Sequence, residues 1–111
     1  MSENILVDAN SALGRLGGRM EMYKRLLKKY YDADYIAPIE EKIAQGDTAG
    51  AVNAAHAIKG VAANLSLIAL SSAAHNLEQA LINGEDHTGY KQAILSVTEQ
   101  TREEVAKLLN Q

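Results

Sequence analysis

His56, Lys59 and Gly60 sit together in the stretch NAAHAIKGVAANLS, with the lysine three and the glycine four residues after the histidine. An imidazole is a competent nucleophile at neutral pH, because much of it is unprotonated. A lysine three residues on shares its side of a helix. An ammonium there can meet the negative oxygens of a phosphoryl group carried on the ring. Glycine in a helix interior costs roughly 1 kcal/mol relative to alanine, so Gly60 calls for a reason. Its missing side chain leaves room for a partner to bring a reacting atom close to the imidazole. The pattern points to phosphoryl chemistry at His56. On residues alone an ordinary exposed histidine and an ordinary solubilising lysine stay open.

A helical wheel sharpens this reading. With His56 at zero, Ala54, Ile58, Val61 and Leu65 fall within about 40° of the opposite side, and they form the expected core stripe with Ala51 and Ala62 at its edge. The imidazole then points away from the core. Val52, Gly60 and Ala63 lie within about 40° of it, so the outward face is small and apolar, with Lys59 as the cation at its edge. Solvated faces usually carry long charged side chains. A smooth face around a protruding ring suits close docking of another protein, and Val52, Gly60 and Ala63 are the expected docking residues.

The other histidines lack this setting. His75 lies in SAAHNLEQ on the less apolar side of its segment, and His87 lies near Gly84 and Asp86 at a helix start. Neither has lysine and glycine at the same offsets. No HExxH occurs and no ligand cluster has metal spacing, so no metal is expected. No phosphate-binding glycine loop or kinase signature occurs, so ATP binding and kinase activity are not expected either.

The elements that must position these residues follow from turn and cap signals. Of the 111 residues 47% are hydrophobic, mostly Ala, Leu, Ile and Val, with one proline and no tryptophan or phenylalanine. That composition favours packed helices in one domain, residues 1–111. Asp8 can cap a short helix ANSALGRL, stopped by Gly17 and Gly18. RMEMYKRLLKKYYDA follows, with Met20, Tyr23, Leu26, Leu27 and Tyr30 at helical spacing. Asp34 opens YIAPIEEKIAQ, where Pro38 falls in the first turn and Gly46 ends the helix. Asp47 or Thr48 caps the histidine helix. SLIALSSAAHNLEQALIN carries Leu67, Leu70, Ala74, Leu77 and Leu81 in register and ends at Gly84. The last helix, roughly His87 to Leu109, carries Tyr90, Ile94, Val97, Val105 and Leu108. Short connections between long amphipathic helices favour an antiparallel bundle.

Charge and targeting signals bound the partners. The net charge is −3, and the short YKRLLKK run interleaves its charges with apolar positions, so no nucleic-acid partner is expected. There are no cysteines, which excludes disulfides and thiolate sites. MSENILVDA lacks the pattern of a signal peptide, and no run approaches the ~18–20 apolar residues of a membrane span. A cytoplasmic protein without membrane contact is expected.

At these residues the sequence resembles the histidine phosphotransfer (HPt) domains of bacterial multistep phosphorelays. AHAIKGVAANL is similar to that family's His-x-x-Lys-Gly signature in an alanine-rich helix. ALGRLGGRMEMYKRLLKKY resembles its opening helices, and AQGD and AAHNLEQAL match on either side of the histidine helix, so the likeness runs from about Val7 to Gly84. It implies an all-α antiparallel four-helix bundle, here with a short extra N-terminal helix. It also implies a solvent-exposed phosphoaccepting histidine, His56, with Lys59 and Gly60 as the family's lysine and glycine. Two positions depart from the family. Ser66 stands where glycine is frequent. Glu78 stands where a glutamine frequently bonds the imidazole; a carboxylate there can hold the ring N–H and fix its tautomer, or be a plain surface charge.

The resemblance further implies a phosphocarrier in a two-component system, with no intrinsic cofactor. A response-regulator receiver domain would dock over the first, third and fourth helices and bring its own Mg²⁺. His56 would accept the phosphoryl group from the receiver's phosphoaspartate and pass it to another receiver, and a hybrid sensor histidine kinase is a further expected partner. A monomer is expected. Two rivals stand beside this reading: a helical module that binds receivers without phosphotransfer, and a metal-binding bundle with His56 and Glu78 as ligands.

Overall fold

The computed structural model describes residues 5–111; the first four residues of the expected domain, 1–4, lie outside the described ones. Six helices follow in order: α1 (Ala9–Arg15), α2 (Met20–Asp32), α3 (Ile36–Ala44), α4 (Thr48–Asn64), α5 (Ile68–Ile82) and α6 (Thr88–Leu109). No strand occurs among the described residues. Four helices are long, with 13 residues in α2, 17 in α4, 15 in α5 and 22 in α6. Two shorter ones, α1 and α3, flank them, so α3 joins the expected N-terminal helix as a second short element. None of the described helices is long and apolar enough to cross a membrane.

Local chemistry sets the boundaries. Asp8 accepts from the Ser11 amide and starts α1; a carboxylate here satisfies an amide that has no partner inside the helix. Asp34 accepts from the amides of Ile36 and Ala37, so α3 begins under its side chain. Asp47, rather than Thr48, caps α4 by accepting from the Gly50 amide at 2.9 Å. Gly17, Gly18, Gly46 and Gly84 take positive φ after their helices, the conformation that glycine adopts without steric cost.

α4 packs most extensively on α5, α6 on α5, α3 on α4 and α2 on α6. The core they enclose includes Tyr23, Leu27, Ile39, Ile58, Leu65, Leu70, Leu77, Ile94 and Val105. Ala51, Ala55, Ala62 and Ala74 are also fully buried, and these small side chains let α4 and α5 approach closely. The core stripe of α4 is therefore Ala51, Ala55, Ile58, Ala62 and Leu65, turned by roughly 50° from the expected one. Ala54 and Val61, expected at its centre, are only half-buried. On α6, Tyr90 is 42% exposed rather than core-facing, whereas Thr101 is fully buried.

The C-terminal end of α4 is held from outside. Arg15 donates to the carbonyls of Ala63 and Asn64, at 3.2 and 2.7 Å, and to the Ser66 hydroxyl at 2.8 Å. The buried Tyr23 hydroxyl donates to the Leu65 carbonyl at 2.8 Å. Burial pushes the Tyr23 phenol up to about 12, so it remains a donor. The last carbonyls of a helix lack intrahelical partners; α1 and α2 supply them here. Backbone bonds from the Asp8 amide to the Ser66 carbonyl and from the Ala69 amide to the Ile5 carbonyl strap the N-terminal segment across the turn between α4 and α5.

Candidate functional site

His56 stands on α4 with its side chain 68% exposed, directed away from Ile58 and Leu65 on the core side. Its Nδ1 lies 2.8 Å from Glu78 Oε2. Glu78 comes from α5 and is only 5% exposed. Its other oxygen, Oε1, accepts from Lys59 Nζ at 2.6 Å. One buried carboxylate thus ties together the imidazole and the ammonium. The hydrogen bond from Lys59, helped by that from His56, holds the Glu78 carboxyl below its ordinary range against the opposing push of burial. The carboxylate is therefore charged at neutral pH. An anion accepts and cannot donate, so the proton between His56 and Glu78 sits on Nδ1. In the neutral ring, the nucleophilic form, Nε2 is then the nitrogen without a proton.

The turned core stripe of α4 explains how Lys59 reaches inward. With Ala55 and Ala62 buried, Lys59 falls beside the core edge and its side chain is only 28% exposed. Read from the sequence alone, Lys59 is an edge cation whose ammonium faces the ring's outer side; in the structure that ammonium is bound to Glu78. Glu78 is no plain surface charge either. It follows Ala74 by one turn and precedes Leu81 by three residues, and both are core residues of α5. That spacing was the signal in the sequence that its side chain would be drawn under α4.

Gly60 and Ala63 are exposed and Val52 is half-buried. A Cβ built on Gly60 meets nothing within 4 Å. The chain itself therefore leaves space there for a larger residue. His75 is exposed on α5, with Nδ1 at 4.0 Å from Glu78 Oε1. His87 precedes α6, and among the described residues it forms no hydrogen bond or ion pair with this group. A groove between α1, α4 and α5, of about 530 Å³, is lined by Arg15, Lys59, Ala63, Ser66, Ser72 and His75, among others. α5, which is not among the expected docking helices, lines this groove. Arg15, unremarked in the sequence, is the residue that fixes the end of the histidine helix. Among the described residues no group of three His, Cys, Asp or Glu side chains converges as a metal site would require.

A family model described as Hpt domain matches residues 32–111. The chain belongs to the Hpt family. As an Hpt domain it functions in histidine phosphotransfer within a phosphorelay, as a phosphocarrier without a kinase catalytic domain. Hpt domains interact with receiver domains in these relays. The Hpt match begins at the last residue of α2 and runs through α6. It thus takes in the last helix, which lies beyond the likeness read from the sequence, and leaves α1 and nearly all of α2 outside. Comparison with curated proteins and with solved structures gives no match.

Proposed function

We propose that His56 is the phosphoacceptor of this Hpt domain, that Lys59 and Glu78 serve it, and that Val52, Gly60 and Ala63 belong to the face on which a receiver docks. The observation that carries the proposal is the exposed imidazole whose Nδ1 is tied at 2.8 Å to a buried carboxylate. The ring is oriented, its tautomer is set, and its unprotonated Nε2 is the atom a partner meets.

The Nε2 lone pair attacks phosphorus in line as the bond from phosphorus to the receiver's aspartyl oxygen breaks. The aspartate leaves with that electron pair, and no proton has to move. Nδ1 keeps its proton, so the phosphorylated ring carries a positive charge, which the Glu78 carboxylate faces directly. Onward transfer reverses the step: a second receiver's carboxylate attacks phosphorus and the ring leaves as neutral imidazole. Catalysis here is placement, since phosphoryl transfer asks little covalent chemistry of the protein. Charge on the phosphoryl oxygens would be neutralised in part by a Mg²⁺ ion held in the receiver. No cluster of acidic or histidine donors for such an ion exists among the described residues of this chain.

The receivers are response-regulator domains, and a hybrid sensor histidine kinase is the natural source of the first one. On this proposal residues 1–111 form one domain that acts as a monomer in the cytoplasm. Incubation with a phosphorylated receiver tests the central claim. Label should appear on His56 at Nε2 and be absent from His56→Gln. Label on His75 or His87, or undiminished labelling of the variant, would overturn it.

A further inference from the structure

Three basic side chains surround one carboxylate. Glu78 Oε2 takes His56 Nδ1 at 2.8 Å, Oε1 takes Lys59 Nζ at 2.6 Å, and His75 Nδ1 waits at 4.0 Å from that same Oε1. In this arrangement one N–H of the Lys59 ammonium is given to Glu78, and that carboxylate offsets its charge. Phosphoryl oxygens on His56 would draw the ammonium outward, away from Oε1. A carboxylate with a 7% exposed side chain cannot lose a partner without cost. Something has to take the place of the ammonium.

We infer that His75 is a positioning residue which takes over Glu78 Oε1 when His56 carries a phosphoryl group, releasing Lys59 to the phosphoryl oxygens. This rests on His56 being the acceptor. The geometry that carries it is the shared oxygen. His75 lies three residues before Glu78 on α5, so the two side chains share one face, and its imidazole is 53% exposed, free to turn. A shift of about 1 Å closes 4.0 Å to hydrogen-bonding distance. Lys59 and His75 line the same open groove, so both have space to move. From α1, Arg15 is the other charged group in that groove, but its guanidinium is occupied by Ser11, Ala63, Asn64 and Ser66. From α4 only His56 and Lys59 reach Glu78. His75 is therefore the replacement within reach among the described residues.

The exchange makes a prediction that a solvated histidine does not: the effect of His75 depends on Lys59 and on phosphorylation. The full chain is phosphorylated with phosphoramidate, a small donor that needs no docking face. Label on His56 of the parent is the control; its absence would refute the acceptor assignment and not the exchange alone. The lifetime of the phosphohistidine is then measured for the parent, His75→Ala, His75→Gln, Lys59→Ala and the double variant. His75→Ala should shorten the lifetime on the order of threefold, the scale of one exposed charge contact. His75→Gln, which keeps an N–H donor, should restore most of it. In the Lys59→Ala background His75→Ala should add nothing, because there is no ammonium to release. A parental lifetime for His75→Ala, or an equal loss in both backgrounds, overturns the inference. Nitrogen-15 NMR of the His75 ring provides a second readout should the double variant fail to fold. A hydrogen-bonded Nδ1 signal should appear only on phosphorylation, and an unchanged His75 spectrum sinks the exchange.

Discussion

Ser66 has a φ of 57° and receives a 2.8 Å hydrogen bond on its hydroxyl from Arg15, 51 residues earlier in the chain. It is the only non-glycine among the described residues with positive φ. A side chain in that conformation costs roughly 1–2 kcal/mol. Ser66→Gly should therefore raise the midpoint of urea unfolding, since Arg15 keeps its bonds to Ala63 and Asn64. The net gain should be about 0.5–1 kcal/mol after the lost hydroxyl bond. Ser66→Ala should fall below the parent, because it keeps the strain and loses the bond. A glycine variant less stable than the serine parent would show that the Arg15 contact outweighs the backbone cost.

Gly60→Gln should transfer phosphoryl groups far more slowly from a phosphorylated receiver, yet raise the unfolding midpoint slightly. Nothing in the chain crowds a Cβ at this position, and most residues are better helix formers than glycine by up to ~1 kcal/mol. Stability and transfer should thus move in opposite directions. A variant that transfers at the parental rate would remove Gly60 from the docking face. Phosphorylation by phosphoramidate should be little affected, which separates docking from the chemistry of the ring.

Lys59→Ala has two expected effects. Transfer from a receiver should slow by about tenfold, on the order of 1.4 kcal/mol. Sequence reasoning alone would leave the fold untouched, as for a lysine burying only its stem. The structure adds a cost, because the substitution strips a partner from the buried Glu78. Removing one partner of a buried pair costs up to ~3–5 kcal/mol, less where water reaches it, and Lys59 is partly exposed. Thermal melts should show a clear loss. A melt identical to that of the parent would mean that the Lys59 bond contributes nothing to the stability of the fold.

Acid should loosen the parent more steeply than Glu78→Gln. The Glu78 carboxyl is held below its ordinary range, chiefly by the hydrogen bond from Lys59. A group whose folded pKa is depressed contributes stability that is fully present above its unfolded value, ~4.3. That contribution is lost as pH falls through the lower folded value. Unfolding midpoints measured from pH 7 down to pH 3 should draw closer for the two proteins as pH falls below ~4.3. Parallel curves over that range would show that Glu78 contributes nothing through its charge.

Much of the fold is written in short-range signals. Asp8, Asp34 and Asp47 each cap a helix, and the glycines after α1, α3 and α5 end theirs, all through contacts within a few residues. The Hpt resemblance rests on residues that sequence alone displays. The register of α4 was less legible. Alanine is small enough to face either core or partner, so Ala51, Ala54, Ala55 and Ala62 look alike on a wheel, and only packing against α5 selects Ala55 over Ala54. Glu78 was legible in position, and its spacing from Ala74 and Leu81 pointed inward, but its partners Lys59 and His56 come from another helix. Arg15 gave no signal, since its partners are backbone carbonyls far along the chain.

The strap formed by Ile5 and Asp8 also has a mechanical meaning. Tension on the chain ahead of Ile5 enters the bundle through the Ile5–Ala69 and Asp8–Ser66 backbone bonds. Those bonds end on the turn that joins α4 to α5, the two helices that carry His56 and Glu78. Arg15 and Tyr23 anchor the same turn a second and third time. A pull from that side is thus shared among four tethers before it can part the imidazole from its carboxylate, and the ion-paired cluster behaves as the protected end of a suspended load.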